Sequence, residues 1–234
     1  MDRRTVSVVL PAHDEAGTIE DIVTRCRDSV PELLEILVID DGSTDGTGDL
    51  AARAGARVIR LAPNRGKGVA LRRALSEVKG DVIVLLDADG QDAPEDIVRL
   101  LGALTEGVAM VVGSRFLGTF GEGAITPLNK LGNRALTEIL NLLYGVRLTD
   151  TQAGFRAFPR SLLDGLVLRA VRYEIEVELL LSAVESSGRV LEVPVRRMAR
   201  TYGTTDLGSF RDGARILRGI VARRLRRGRR IVAA

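Results

Sequence analysis

Aromatic residues are scarce in this chain, with five phenylalanines, three tyrosines and no tryptophan among 234 residues. Proteins that bind single-stranded nucleic acid stack the bases on aromatic side chains that alternate with basic ones. The sequence has no such interleaving, so we expect no nucleic-acid partner. A nucleic-acid-binding protein that uses the arginine-rich C-terminus stays an alternative.

The chain also has a single cysteine, Cys26, and a single histidine, His13. One cysteine cannot form an intrachain disulfide, which favours a reducing compartment, and one residue of each type is too few for a zinc site. The central apolar run, residues 82–86, is far shorter than the roughly 18 residues of a membrane span. Residues 1–4 are followed by a short strand-like run and not by the hydrophobic core of a signal peptide. We expect a cytoplasmic protein, soluble or peripheral on the cytoplasmic face of a membrane.

The net charge of +3 conceals an uneven distribution. Nine arginines and one aspartate between Arg211 and Arg230 give this segment +8, so the rest of the chain carries −5. Apolar residues in 210–225 recur at helical spacing, with arginines on the other side. The segment 209–234 is therefore predicted to be a basic amphipathic helix and tail. It lies on an anionic membrane or packs its apolar stripe on the body of the protein, and the two arrangements are compatible in part.

Short apolar runs alternate with helical segments through the first half of the chain. The predicted strands are residues 6–10, 35–39, 57–61, 81–86 and 109–112, and the predicted helices between them are 18–29, 46–54, 67–78 and 94–104. Strands that are apolar throughout are buried on both faces, which is typical of a parallel sheet between helices. The sequence predicts an α/β fold: an open, mostly parallel, Rossmann-like sheet with helices on both faces. In the second half only helices near 128–144 and 174–186 are predicted.

Polar segments follow four of these strands, and open α/β sheets bind ligands at the carboxyl ends of their strands. Asp87 and Asp89 follow the most apolar run, and residues two apart on a strand point to the same side. Two converging carboxylates favour Mg²⁺ or Mn²⁺, with Gln91 or a diphosphate oxygen completing the ligands. Such an ion neutralises a leaving diphosphate. Alternatively, one aspartate caps the helix that begins near Pro94.

Two other strand ends carry groups suited to a nucleotide. Asp40 and Asp41 can accept a hydrogen bond from a base or a ribose hydroxyl, or serve only the turn that follows them. Residues 64–68 combine two glycines with Arg65 and Lys67 before a helix, a composition that suits phosphate.

Six short segments together resemble the family 2 glycosyltransferases, and the dolichol-phosphate mannose synthase and polyprenyl-phosphate glycosyltransferase branch in particular. They are PAHDE at 11–15, DDGSTDGT at 40–47, NRGKG at 64–68, DAD at 87–89, GSR at 113–115 and DTQAGFR at 150–156. The resemblance implies a GT-A catalytic domain over residues 1–208. It also implies metal-dependent, inverting transfer of mannose, glucose or N-acetylglucosamine from a GDP- or UDP-sugar to a polyprenyl or dolichyl phosphate. A soluble or polysaccharide hydroxyl acceptor is the alternative, and self-association is left open.

The resemblance also implies roles for individual residues. Contacts to the nucleotide-sugar are expected from Pro11, Ala12, Glu15, Asp40, Asp41, Lys67, Asp87, Ala88 and Asp89. Contacts to the acceptor or to phosphate are expected from Arg115, Lys130, Asn133, Arg134, Gln152 and Arg200. The expected catalytic residues are Asp89, Arg115 and Asp150, and the expected metal ligands are Asp87, Asp89 and Gln91. Two positions depart from the family: Asp14 replaces a usual Asn, and Thr205-Asp206 replaces a common Ser-Lys.

The acceptor decides what chemistry the side chains must supply. A lipid phosphate has a second pKa of about 6 and is largely ionised at neutral pH, so it needs cations rather than a base. The candidate cations are Arg115, Lys130, Arg134, Arg156 and Arg200. A hydroxyl acceptor needs a carboxylate base. For that role Asp150 comes before Glu174 and Glu176, which we expect on the surface of a helix.

Overall fold

The structure, a computed structural model, describes residues 4–186, 188–203 and 210–232. Its strands are β1 (Val6–Ala12), β2 (Leu33–Asp41), β3 (Arg57–Leu61), β4 (Val82–Leu85), β5 (Val108–Phe120), β6 (Arg156–Pro159) and β7 (Arg189–Arg197). Its α-helices are α1 (Ile19–Ser29), α2 (Thr47–Arg53), α3 (Lys67–Leu75), α4 (Ile97–Ala103), α5 (Pro127–Tyr144), α6 (Glu174–Glu185) and α7 (Phe210–Val232). Short 3₁₀ turns occupy Pro94–Asp96 and Arg160–Leu163.

The strands form one seven-stranded sheet in the order β3-β2-β1-β4-β6-β5-β7. Neighbours are parallel except for β6, which runs antiparallel to both β4 and β5. The predicted open, mostly parallel sheet is confirmed. Because β1, β2 and β4 are adjacent and parallel, the polar segments that follow them meet at one edge of the sheet.

Each face of the sheet carries its own hydrophobic core, because successive strand residues point to opposite faces. Val8 of β1 packs with α1, α2 and α4 on one face, whereas Val9 packs with α3, α5, α6 and α7 on the other. Both valines are fully buried. This alternation explains why the strands read as continuous apolar runs.

Each of the five predicted strands overlaps an observed strand, but β6 and β7 were not predicted. β6 has only four residues and ends at Pro159. β7 contains Pro194 and four charged residues, a composition that argues against a central strand. It is an edge strand, where proline is tolerated because no partner needs its missing N–H.

Helix α7 packs one side on the body of the protein. Ile216 and Ile220 are buried in the core that α5 and α6 share, and the Tyr144 hydroxyl donates to the Ile220 carbonyl at 3.1 Å. Arg223 bonds the Glu185 carboxylate at 2.7 Å. Five further arginines of α7 are exposed; they are Arg211, Arg215, Arg218, Arg224 and Arg226. No helix in the described part of the chain is long and apolar enough to cross a membrane.

The boundary predicted between residues 208 and 209 lies outside the described residues, as does the Thr205-Asp206 departure.

Candidate active site

A cavity of about 720 Å³ opens where β1, β2 and β4 end, and α5 and α6 form its other walls. It brings together most of the predicted site residues: Pro11, Ala12, Glu15, Asp41, Lys67, Asp87, Ala88, Asp89, Gln91, Arg115, Asn133, Gln152 and Arg200. Residues from all six sequence segments are therefore close in space or directly behind this surface.

Three N–H groups of the loop at 64–68 are bonded inside the protein. The Asp41 carboxylate accepts from the N–H groups of Arg65 at 2.8 Å and Gly66 at 2.7 Å. The Gly68 N–H donates to the Val171 carbonyl at 2.9 Å. A β-carbon on Gly68 would lie 2.6 Å from that segment, so glycine is required by packing. For Arg65, Gly66 and Gly68 the expected backbone contact with phosphate is thus corrected, because their N–H groups already have partners.

Lys67 is shared between two carboxylates on the cavity wall. Its Nζ lies 2.6 Å from Asp87 Oδ1 and 2.6 Å from Glu176 Oε1, and 5.9 Å from the centre of the Tyr173 ring. Burial opposes ionisation of this lysine, but the two carboxylates outweigh it and raise its pKa. For Asp87, burial raises the pKa, but Lys67 together with Arg197 and Arg115 lowers it by more, so the net shift of the pKa is downward and favours the ionised carboxylate. Glu176 was expected in a solvated or paired role at the surface of a helix; it is paired, but its side chain is buried, so the surface position is wrong.

Arg197, the last residue of β7, and Arg200, in the segment that follows, approach Asp89. Arg197 lies 3.6 Å and Arg200 3.7 Å from Asp89 Oδ2. Arg197 also donates to Asp92 at 2.8 Å and to the Gln91 side-chain oxygen at 2.7 Å. The Gln91 amide donates in turn to the Met198 carbonyl at 3.1 Å. Both ends of the Gln91 side chain are thus engaged in holding β7, which leaves it poorly suited to the expected role of metal ligand.

Glu15 lies at the same end of the cavity and is bonded to Arg200. Burial, helped by the negative charges of Asp89 and Asp87, raises the pKa of Glu15 to about 7 against the opposing effect of Arg200. One cavity thus holds a carboxyl group that titrates near neutrality and, at Asp87, one whose pKa is depressed.

The chemistry of Asp87 and Asp89 fits a hard divalent ion. Each uses Oδ1 within the protein, Asp87 toward Lys67 and Asp89 toward the Gln91 N–H at 3.0 Å. Among the described residues, none donates a hydrogen bond to Oδ2 of either aspartate. Carboxylate oxygens are the ligands that Mg²⁺ and Mn²⁺ prefer. In the part of the chain that the structure describes, no three His, Cys, Asp or Glu side chains converge as a metal site, so other ligands must come from substrate and water.

Arg115 reaches the cavity from β5 and is held from behind by Asp150. Its Nε and Nη2 donate to the two Asp150 carboxylate oxygens at 2.6 and 2.8 Å. The backbone N–H groups of Asp150 and Thr149 donate to the Glu192 carboxylate, at 2.9 Å and 2.8 Å respectively. Asp150 is fully buried and lies outside the cavity lining. Its carboxylate therefore contacts Arg115 rather than a ligand.

Four other candidates also lie off the cavity. Lys130 and Arg134 stack over aromatic rings, at 5.2 Å from the centres of Phe120 and Phe116 respectively. Asp40 accepts from the Ser43 N–H at 2.9 Å and supports the turn after β2. Arg156 is fully buried and donates to backbone carbonyls, so it cannot hold a substrate phosphate.

Sequence reasoning did not identify Arg172, Tyr173 and Arg197 as cavity residues. The sequence did contain a hint for Arg197, because residues 189–197 form a mostly apolar run that ends in two arginines. Arg197 is placed at the site only once the run is recognised as a strand parallel to β5.

The model of the family described as Glycosyl transferase family 2 matches residues 7–167, which is more than half of the chain. The chain belongs to this family. The resemblance drawn from the six segments is thereby confirmed, and the protein is a glycosyltransferase.

Relatives in this glycosyltransferase family match most of the chain. Glycosyltransferase AglJ of Haloferax volcanii is 35% identical over 89% of this chain and 68% of its own length. Polyprenol monophosphomannose synthase of Mycolicibacterium smegmatis is 32% identical over 86% of this chain and 80% of its own.

Solved structures of the same enzyme class share the fold. Glucosyl-3-phosphoglycerate synthase from Mycobacterium tuberculosis, crystallised with Mg²⁺ and UDP, superposes with a TM-score of 0.74 and 28% identity. The match covers 94% of this chain and 79% of that one. The fold of this glycosyltransferase is GT-A, as predicted.

Proposed function

We propose that this glycosyltransferase moves a hexose from a GDP- or UDP-sugar to a polyprenyl phosphate, with Mg²⁺ or Mn²⁺ bound at Asp87 and Asp89. The observation that carries the proposal is the two-sided character of the cavity. Charged side chains line it at the strand ends, whereas α5 supplies an apolar wall with Leu128 and Leu131, which are 61% and 67% exposed. A ligand with an anionic head and an apolar chain matches both sides.

The donor end is assigned to residues that follow β1, β2 and β4. Pro11, Ala12 and Asp41 suit a nucleoside, since ligands of open α/β sheets bind at these positions. Lys67 and Arg200 add positive charge for the diphosphate. A metal ion there would neutralise the negative charge that builds on the leaving nucleoside diphosphate.

The acceptor end is assigned to Arg115, with Asn133 and Gln152 beside it on the cavity wall. An arginine fixed at two nitrogens still presents its remaining donors in a rigid plane, which suits a phosphate. The phosphate is ionised at neutral pH and acts as its own nucleophile, so the side chains need only align it with the sugar carbon. We propose direct in-line attack with inversion at that carbon.

Two of the relatives' names support different acceptors. Polyprenol monophosphomannose synthase names a lipid acceptor, whereas glucosyl-3-phosphoglycerate synthase names a soluble one. For a hydroxyl acceptor a carboxylate base is required, and Glu176 is a candidate because it lines the cavity. Leu128 and Leu131 favour the lipid, and on the same ground we propose that the protein works as a peripheral protein at a membrane.

The test is a transfer assay with GDP-mannose, UDP-glucose and UDP-N-acetylglucosamine, each with citronellyl phosphate, undecaprenyl phosphate or 3-phosphoglycerate. We expect a lipid-linked sugar with at least one donor, of inverted anomeric configuration by NMR, and loss of transfer after removal of divalent ions with EDTA. Because the ion supplies several kcal/mol at the transition state, Asp89→Ala should reduce kcat/KM on the order of 100- to 1000-fold.

Asp28→Ala, an exposed acid on α1, is the matched control and should leave transfer unchanged. Sugar transfer only to 3-phosphoglycerate would refute the lipid acceptor. Full activity of Asp89→Ala would refute the metal assignment.

A further inference from the structure

A second cavity, here called the lateral groove, lies between residues 165–172, α6 and α7. Its volume is about 1300 Å³. None of the residues predicted to bind donor, acceptor or metal lines it, among those that the structure describes. The groove is therefore a feature of the fold to which the proposed reaction gives no role so far.

The lateral groove adjoins the candidate active site. Arg172 and Ile216 line both cavities, so the two are separated only by these side chains. Ile216 is buried on α7, and Arg172 is exposed just before α6. An elongated molecule whose head is bound in the first cavity would reach the groove by passing over the exposed Arg172.

The groove offers apolar surface at its floor and at its lip. Val177, Leu181 and Ile216 line it and are at least 94% buried. On the opposite side Val167 and Val171 are 68% and 51% exposed. Covering exposed apolar side chains of this kind is favourable for any apolar ligand, at roughly 25 cal/mol per Å² removed from water.

Each carboxylate of the groove has a partner for at least one oxygen, which lowers its cost to an apolar ligand. Glu178 accepts from the N–H groups of Arg169 and Ala170 at 2.9 and 2.8 Å, and Glu174 accepts from the Arg172 N–H at 3.1 Å. Glu185 is paired with Arg223 through Oε2 at 2.7 Å, whereas its buried Oε1 has no hydrogen-bond partner among the described residues.

We propose that the lateral groove binds the distal part of the acceptor's isoprenoid chain, beyond the first units that lie against Leu128 and Leu131 in the active site. The inference rests on the proposed lipid-phosphate acceptor and extends it to a chain subsite. Exposed arginines at the rim, including Arg169 and Arg226, suit the anionic headgroups of the bilayer from which such a chain emerges.

The test uses the groove's one helical glycine. A side-chain carbon on Gly219 would meet no atom within 4 Å, so Gly219→Leu fills the groove without a clash and improves helix propensity. We expect kcat/KM for undecaprenyl phosphate to fall about tenfold, a loss typical of small steric changes in an apolar pocket. For citronellyl phosphate, whose chain is too short to occupy the groove fully, kcat/KM should stay unchanged.

Gly102→Leu is the matched control, because Gly102 lies on α4 with equally open space and lines neither cavity. It should leave both values unchanged. An equal effect of Gly219→Leu on both chain lengths, or no effect on either, would overturn the groove. If the wild-type enzyme glycosylates neither lipid phosphate, the proposed function fails first, and the chain subsite falls with it.

Discussion

Each of three cations at the candidate site is shared between an aspartate of the Asp87-Ala88-Asp89 segment and a second carboxylate. Lys67 joins Asp87 to Glu176. Arg197 joins Asp89 to Asp92, and Arg200 joins Asp89 to Glu15. If Asp87 and Asp89 bind the proposed metal ion, the second carboxylates would still hold the three cations at the site.

The buried pair of Arg115 and Asp150 leads to a prediction about roles. If Asp150 acts only by orienting Arg115, Asp150→Asn should lower kcat/KM for the phosphate acceptor on the order of 100-fold, as expected when a positioning contact is lost. In an Arg115→Gln background the same substitution should add little, because the group that Asp150 orients is already gone. Steady-state kinetics of the two single variants and the double variant measure this coupling.

Asp164→Asn, an exposed acid in the same half of the chain, serves as the control, and circular dichroism verifies that each variant folds. Equal losses from Asp150→Asn in both backgrounds would show that Asp150 acts independently of Arg115, as a base would.

At this scale the sequence identified the residues that follow apolar runs, since those runs locate the strand ends. The sequence could not distinguish Asp41, which lines the cavity, from Asp40, which does not. The two are neighbours on β2, and neighbouring side chains of a strand point to opposite faces of the sheet. The burial of Asp150 and Arg156 was equally hidden. Both depend on β6, whose pairing with β4 and β5 is contact between distant parts of the chain.

At the scale of elements, α7 shows how one amphipathic helix serves two environments. Its inward side packs on α5 and α6 through Ile216 and Ile220, whereas Val221 and Leu225 are 38% and 65% exposed. The spacing of apolar residues predicted this helix but did not decide whether it packs on the protein or lies on a membrane. The contacts show that its inward side packs on the protein.

Two neighbouring residues of α7 allow its docking to be measured. Ile220→Ala removes a fully buried side chain and should reduce the free energy of unfolding by about 2–5 kcal/mol. Val221→Ala, one position along the same helix, should change it by less than about 0.5 kcal/mol. Urea denaturation gives both values, and equal values would contradict the packing of α7 on the body.

At the scale of the whole molecule, positive charge is concentrated on α7, where five of the described arginines are exposed: Arg211, Arg215, Arg218, Arg224 and Arg226. The chain carries +3 in total, but the segment from Arg211 to Arg230 alone carries +8. The candidate active site opens beside the same helix, since Ile216 and Gly213 of α7 line it. A negatively charged bilayer that attracts this helix would bring the cavity close to lipid.

A charge-matched pair of variants tests this orientation. Changing Arg211, Arg218 and Arg224 to Gln removes three exposed cations from α7. At about 1 kcal/mol for each cation near an anionic surface, binding to phosphatidylserine liposomes should weaken on the order of 100-fold. Co-sedimentation at fixed ionic strength measures the change.

In the control variant, Arg53, Arg73 and Arg99, which are exposed cations of α2, α3 and α4, are changed to Gln. The net charge changes by the same amount, but liposome binding should weaken much less. Equal loss in the two variants would mean that net charge alone governs binding.

The two edges of the sheet bear on how this protein behaves at high concentration. Unpaired edge strands recruit strands from other molecules, and proline or charged side chains there oppose such growth. One edge strand, β3, carries Arg57 and Arg60, and the other, β7, contains Pro194 and ends in two arginines. Fibril-like extension of the sheet from copy to copy is thus disfavoured at both ends. Any self-association would have to use the helical surfaces instead.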